Sequence, residues 1–373
     1  MDSNQQAIIQ TSSNALHAKA AAVRAGYYDD PYIGPFVQEP SRGRPPHVQP
    51  IIKRGTHARV CCIDRVIRTF TQLRVEKYEQ KLDQLDEMEG SDEIEEEEKV
   101  TEEECIVQVV VLGCGKDTIF FRHHEFLAQH PSVSLKWFEI DHPPIIQEKA
   151  TTIGANPDVF DKVSVNKVEG ETDTYTFEPS FGISCCFIGH DLRDDGVMEK
   201  LQRAGCDTDT PTLFILECVL MYLPEQDSQN LLQSVRETFP DAYLCLYEPI
   251  LGNDAFGMVM ENNLSRVGLA TPDASLCQTR QLKDQLAKVV QKAGWAQAVA
   301  CDMWHAYDTI LTAEQRQRGN RAEFLDEWEE FILIMKHYCF LVAATGALGE
   351  DLCQISKTSR VGFSPGQAER VVL

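Results

Sequence analysis

The chain is short of positive charge. Its 373 residues carry 35 Lys and Arg against 58 Asp and Glu, a formal net charge of −23. That balance argues against a broad nucleic-acid or anionic-membrane footprint and leaves room only for a local basic site. A long apolar run is also missing: the most apolar late stretch, FILIMKHYCFLVAATGAL from residue 331, is broken by Lys336 and His337 and is too short and polar to span a bilayer. The first residues, MDSNQQAIIQ, show no basic segment followed by an apolar one, so no secretory signal is expected. The 13 cysteines contain no CxxC; they include the adjacent pairs Cys61/Cys62 and Cys185/Cys186, and many fall in apolar runs. This usage predicts reduced, buried thiols in a cytoplasmic protein, with no metal site.

What is present is unevenly spread. Residues 1–81 hold 12 basic and 7 acidic side chains, whereas residues 83–104 hold 13 acidic side chains and one lysine. Such a block has too little apolar surface to offset the cost of ordering it and reads as a solvated loop or frayed helix end. The chain is long enough for one large domain with extensions or for two small ones.

The periodicity organises the rest. Residues 13–26 read as a helix, with Ser12 or Ser13 as cap and Gly26 as stop. The stretch YYDDPYIGPFVQEPSRGRPPHVQP holds six prolines and cannot be a regular element. A second helix is legible from Thr56, with Val60, Ile63, Val66, Ile67, Phe70 and Leu73 on one face. After residue 105, apolar runs at 106–112, 134–140, 183–189, 211–217 and 242–248 alternate with helix-length segments, which predicts a parallel, doubly wound sheet. Further strands are expected at 296–303 and from residue 338, the last antiparallel, for seven in all.

In such a sheet ligands bind at the carboxyl ends of the strands. The first strand ends in LGCGKDT, a glycine turn at Gly113 and Gly115 into a helix. The third glycine of a pyrophosphate binder is replaced by Thr118, which disfavours NAD or FAD. Asp141, 26 residues after Gly115, closes the second strand, where a carboxylate can accept both ribose hydroxyls of a nucleoside. The third strand ends in GHDLRD, placing Asp191 and Leu192 to bond and pack an adenine. The fourth ends in ECVLMYL, where Glu217 closes an apolar strand and needs a donor or cation. Together these describe a site for a nucleoside with a cationic tail.

The motifs LGCGKDT, WFEID, GHDLRD, ECVLMYL and YEPI, in this order and spacing, resemble the leucine carboxyl methyltransferase family. The likeness extends upstream to AKAAAVRAGYYDDPYI and KRGTHARV and so covers most of residues 13–348. It implies a class I S-adenosylmethionine-dependent methyltransferase fold, a seven-stranded, mostly parallel sheet with helices on both faces and an N-terminal helical extension. The implied cofactor is S-adenosylmethionine, and the implied substrate is the α-carboxylate of the C-terminal leucine of the protein phosphatase 2A catalytic subunit. Lys19, Arg59, Gly113, Asp141, Asp191, Leu192 and Glu217 match the family's functional positions, with Gly115 beside them in the cofactor turn. Two features depart from the pattern: Val111 stands where the family often has Asn, and residues 83–104 are an insertion. The expected divisions are a helical extension over 1–82, the acidic insert 83–104, a methyltransferase core over 105–348 and a tail over 349–373.

Methyl transfer to a carboxylate needs no general base, because the nucleophile is already ionised at pH 7. It needs orientation, exclusion of water and cations that hold carboxylates. Arg59 is the first candidate: with Thr56 as N-cap it would sit in the first helical turn, where free N–H groups and a guanidinium both favour an anion. Lys19 is the second candidate, and Tyr222, beyond the fourth strand, could face the methyl or the substrate. The alternatives are a related methyltransferase acting on a transfer-RNA wybutosine precursor or on a small-molecule carboxylate, and a non-catalytic phosphatase-binding protein. A monomer with no nucleic-acid or membrane partner is expected.

Overall fold

The computed structural model describes residues 3–37, 47–89, 105–127, 133–160, 162–180, 182–356, 361–363 and 370–371. Its strands are β1 (Cys105–Leu112), β2 (Val133–Asp141), β3 (Asn166–Lys167), β4 (Thr174–Ser180), β5 (Ile183–Gly189), β6 (Thr212–Glu217), β7 (Ala242–Pro249), β8 (Gln297–Asp302), β9 (Tyr338–Ala344), β10 (Val361–Phe363) and β11 (Arg370–Val371). They form one sheet in the order β11-β10-β8-β9-β7-β6-β1-β2-β5-β4-β3. β5, β2, β1, β6 and β7 run parallel, while β9 is antiparallel to β7 and β8 to β9. These are the seven expected strands, and the last is antiparallel as expected.

The count of seven needs correcting: among the described residues the sheet has eleven strands. β3 and β4 extend one edge beyond β5, and β10 and β11 extend the other beyond β8. They escaped the apolar-run criterion because β4 is only half covered, with Thr174 and Phe177 its only buried residues, and because β10 and β11 span three and two residues.

The central strands read clearly because both faces are covered. Along β1, Val107, Val109 and Val111 join one apolar cluster, while Val110 and Leu112 join another on the opposite face. Helices α1 (Ser3–Arg24) and α2 (Pro50–Glu89) precede the sheet, and α3 (Ile119–Leu127) and α4 (Pro143–Ala155) follow β1 and β2. The expected apolar face of α2 is buried from Val60 to Phe70, and the helix packs on β1 and β7. A buried ion pair, Lys149 with Glu139, ties α4 to β2.

Both helix starts lie earlier than expected. α1 begins at Ser3, ten residues before Ser13, and ends before Gly26, whose φ of 86° supplies the left-handed stop. α2 begins at Pro50 rather than Thr56. Thr56 is no cap: its hydroxyl donates to the Ile52 carbonyl at 2.8 Å within the helix. Gly55, which made a boundary look natural, lies inside α2 close to Met335, whose Sδ would be 3.7 Å from a Cβ there. α2 also continues past residue 82 as far as Glu89, and residues 90–104 of the acidic insert lie outside the described residues. No helix among the described residues is long and apolar enough to cross a membrane.

Candidate active site

A cleft opens at the carboxyl ends of β1, β2, β5 and β6. Lys19, Arg59, Gly113, Gly115, Asp141, Asp191, Leu192, Glu217 and Tyr222 all line it. The structure therefore brings together every residue singled out from the sequence.

One wall is made of strand ends. Gly113 and Gly115 have φ of 72° and 55°, and the Gly113 amide donates to Ile140 O at 2.8 Å, pinning the turn to β2. A Cβ on Gly113 would stand 2.6 Å from Val219 Cγ2, so the glycine is needed for the close approach of the β6 loop as well as for its dihedral angle. Asp141 accepts the Gly115 amide at 2.6 Å and the His142 amide at 2.7 Å. Burial raises its pKa, and the two amides partly offset that rise. Asp191 is gripped by the Arg193 side chain, with Nη2 2.6 Å away, and lies 3.6 Å from His142 Nδ1. Burial opposes ionisation here too, but Arg193 holds this carboxyl at a pKa of about 2.

Beyond β6 the backbone turns sharply. Cys218 adopts a left-handed φ of 57°, and the single helical turn Leu220–Tyr222 follows. Glu248, the acid of YEPI, lies beneath this turn and accepts the amides of Val219, Leu220 and Met221 at 2.8, 2.9 and 3.1 Å. Burial raises its pKa to about 7 against the pull of those three bonds. The YEPI motif is legible in the sequence, but this role of its glutamate is not.

The other wall is helical and held by charge. Lys19 on α1 pairs with Glu217 at 2.8 Å and with Asp117, and Arg59 Nε on α2 lies 2.8 Å from the same Glu217. Burial works against the charges of Asp117 and Arg59. Lys19 and Arg122 nonetheless hold the Asp117 pKa far below its ordinary value, and Glu217 drives that of Arg59 upward. Arg59 is not at a helix N-terminus as expected: it lies more than two turns into α2, and an ion pair supplies the stabilisation instead. Tyr222 sits at the end of its turn, half-buried, with its phenol held protonated by burial.

Several contributors were missed. Ile8, Ile9, Thr11 and Ser12 of α1 line the cleft, from a segment read as preceding the helix. Thr118, in place of a third glycine, donates to Asp30 Oδ2 at 2.5 Å, and Arg122 reaches Asp64 at 2.7 Å. These bonds clamp the glycine turn to the N-terminal extension. The motifs KDT and DDPYI were the available signals, but nothing local in them shows that they meet.

The family profile described as leucine carboxyl methyltransferase matches residues 93–236. Over 354 residues the chain is 30% identical to leucine carboxyl methyltransferase 1 of Rattus norvegicus, covering 94% of this chain and 93% of that one. The chain belongs to the leucine carboxyl methyltransferase family. Its similarity to leucine carboxyl methyltransferase 1 of Bos taurus is again 30%, over 356 residues and 95% of each chain. It is also 29% identical over 335 residues to the tRNA wybutosine-synthesizing protein 4 of Homo sapiens, covering 90% of this chain and only 43% of that protein. Thr118, which stands where a pyrophosphate binder would have its third glycine, is held by its bond to Asp30.

Proposed function

We propose that this protein uses S-adenosylmethionine to methylate the α-carboxylate of the C-terminal leucine of the protein phosphatase 2A catalytic subunit, giving a methyl ester. The observation that carries the reading is the pair of cations, Lys19 and Arg59, set against Glu217 over the glycine turn, in a chain of this family. Two cations suit two carboxylates, one on the cofactor's methionine end and one on the acceptor.

The residues present fit the cofactor. Gly113 and Gly115 leave the backbone open for close approach, and neither position tolerates a Cβ without strain. Asp141 has one amide on each oxygen, and a carboxylate with about four lone-pair sites still has capacity for two ribose hydroxyls. Asp191 and Leu192 would face the adenine, and Glu217 would take the cofactor's amine. When bound, S-adenosylmethionine supplies a sulfonium methyl whose S–C bond breaks toward sulfur as a carboxylate oxygen forms the new O–C bond.

The protein's own work is orientation and electrostatics. Lys19 and Arg59 balance Asp117 and Glu217, so the cluster is formally neutral. The transfer then joins an anionic acceptor to a cationic donor and cancels charge in a partly dry cleft. Desolvation favours that cancellation, whereas charge separation would be penalised. No side chain has to remove a proton.

The test is transfer of labelled methyl from S-adenosylmethionine to the purified phosphatase catalytic subunit. An alkali-labile ester is expected on the native end and none on a C-terminal amide. Label that survives alkali, or equal transfer to the amidated end, would overturn the carboxyl assignment. A transfer-RNA substrate is disfavoured by the net charge of −23.

A further inference from the structure

The loop that leaves β6 is held at both ends, by Glu248 at one and by a buried lysine at the other. Cys218, Val219, Tyr222 and Leu223 of this loop line the cleft. Glu248 holds the near end through the amides of Val219, Leu220 and Met221. The far end runs into the helix Glu225–Thr238 and is pinned to residues 273–275. Glu225 donates its amide to Asp273 O and Ser275 donates its amide to Leu223 O, each at 2.8 Å, and Pro224 and Ala274 form an antiparallel bridge between them.

Lys288 joins the two strands of this far clamp. It is buried; its Nζ donates to the Ser275 hydroxyl and, at 3.0 Å, to the Thr279 hydroxyl, and lies 2.9 Å from Glu225 Oε2. One ammonium thus ties the first residue of the helix after the loop to the segment on which the loop is pinned. The local backbone delivers it there. Residues Ala287–Lys292 form a π-helical turn, in which the Ala293 amide reaches back to Lys288 O at 3.0 Å, and Lys288, Val289 and Val290 are buried in succession. Such widened turns are uncommon and occur often at functional sites. Burial lowers the Lys288 pKa, while Glu225 and Glu248 oppose the fall. An apolar side chain would fill the same space without the cost of burying a charge, so packing alone does not account for a lysine here.

We propose that Lys288 is a positioning residue for methyl transfer: acting through Glu225, Ser275 and Thr279, it fixes the far end of the β6 loop and so the place of Tyr222 and Leu223 in the cleft. This rests on the methyltransferase reading above and adds a residue outside the cleft that sets the geometry of its wall. The two clamps divide the work. Glu248 holds the end where Val219 approaches Gly113 in the cofactor turn, whereas Lys288 holds the end that follows Tyr222. Losing Lys288 therefore lowers turnover more than cofactor affinity.

The experiment compares the full-length wild-type protein with Lys288→Met, Lys288→Arg and Glu225→Gln. It measures kcat for phosphatase methylation, S-adenosylmethionine affinity by calorimetry, and the rate of chymotryptic cutting after Tyr222 against that after Tyr243 in β7. Lys288→Met should lower kcat at least about tenfold, with cofactor affinity within about threefold. Cutting after Tyr222 should speed up at least about tenfold while Tyr243 stays protected, which separates a loosened loop from a loosened fold. Lys288→Arg keeps the cation and should recover most of the lost turnover. If Lys288→Met does not fold, Glu225→Gln, which weakens the ion pair at its less buried end, decides the matter and should shift both readouts the same way by at least about threefold. Wild-type kcat in Lys288→Met, an equal loss in Lys288→Arg, or unchanged cutting after Tyr222 overturns the assignment. A wild-type protein that leaves the phosphatase unmethylated would overturn the methyltransferase reading, while the cutting pattern would still decide whether Lys288 holds the loop.

Discussion

The two walls of the cleft are built on different principles. The strand-end wall is backbone chemistry: Asp141 and Glu248 between them accept five main-chain amides, and the glycine turn hangs from Ile140. The helical wall is side-chain charge, with Lys19, Arg59 and Arg122 set against Asp117, Glu217, Asp64 and Asp30. Bonds of the first kind are fixed as soon as the sheet forms. Those of the second kind join residues as far as 198 positions apart and depend on the N-terminal extension docking correctly. Losing a partner in the helical wall strands a buried charge, whereas losing one in the strand-end wall leaves an amide or a ligand hydroxyl unpaired, which costs less.

The largest effect expected from that contrast is on folding. Arg122→Ala leaves Asp64 and Asp30 without their cation and should cost about 3–5 kcal/mol in urea unfolding; a loss below about 1 kcal/mol would mean the charged wall is decorative. Next comes turnover. Arg59→Ala should reduce methyl transfer at least about a hundredfold, and Arg59→Lys should restore it only in part, because an ammonium lacks the planar fork. Full activity in the lysine variant would reduce Arg59 to a point charge. Asp141→Ala, on the strand-end wall, should weaken S-adenosylmethionine by at least about tenfold in calorimetry, from the loss of about 1.5–3 kcal/mol of charged hydrogen bonding, with the fold retained. Unchanged affinity would remove Asp141 from the site.

A smaller effect tests the electrostatics within the strand-end wall. Glu248 has its pKa raised in the folded state from 4.5 to about 7, so the native protein binds its proton more tightly than the unfolded chain does. Its contribution to stability is therefore fully present below pH 4.5 and declines as pH rises through 7. Relative to Glu248→Gln, wild-type stability should fall across that window by up to about 1.4 kcal/mol per pH unit. A flat difference would show the carboxylate ionised throughout, with the three amides outweighing burial. The smallest effect is expected outside both walls. Excising residues 90–101 should leave turnover within a few-fold, since that acidic run holds a single lysine and little apolar surface. A collapse of activity in a folded variant would give the insert a part in recognition.

The same contrast explains what could be read from the sequence. The seven central strands were legible nearly to the residue because most of their positions on both faces are buried and therefore apolar. The polar residues that interrupt those runs at their ends, Asp141, Asp191 and Glu217, mark the strand-end wall by the same logic. The helical wall was legible only as a set of candidates. Lys19 on an alanine-rich helix looks like any solvated lysine, and nothing near it in the chain indicates Asp117 or Glu217. Thr56 shows a local rule failing: a threonine after a glycine resembles a cap, but the helix runs straight through both, with the Thr56 hydroxyl bonded back to Ile52 inside it. β3 and β4 were missed because pairing with little burial leaves a weak pattern, and β10 and β11 because they span only three and two residues.

Glu248 also gives the site a natural reporter. The amides of Val219, Leu220 and Met221 lie in a single short turn, where backbone groups would ordinarily exchange hydrogen with solvent quickly. Here a side chain holds them. Their protection in a hydrogen-exchange experiment therefore follows the grip of one carboxyl group, and the three should lose it together when that group is replaced. A single side chain thus makes the loop beside the glycine turn behave, on the exchange timescale, as part of the sheet.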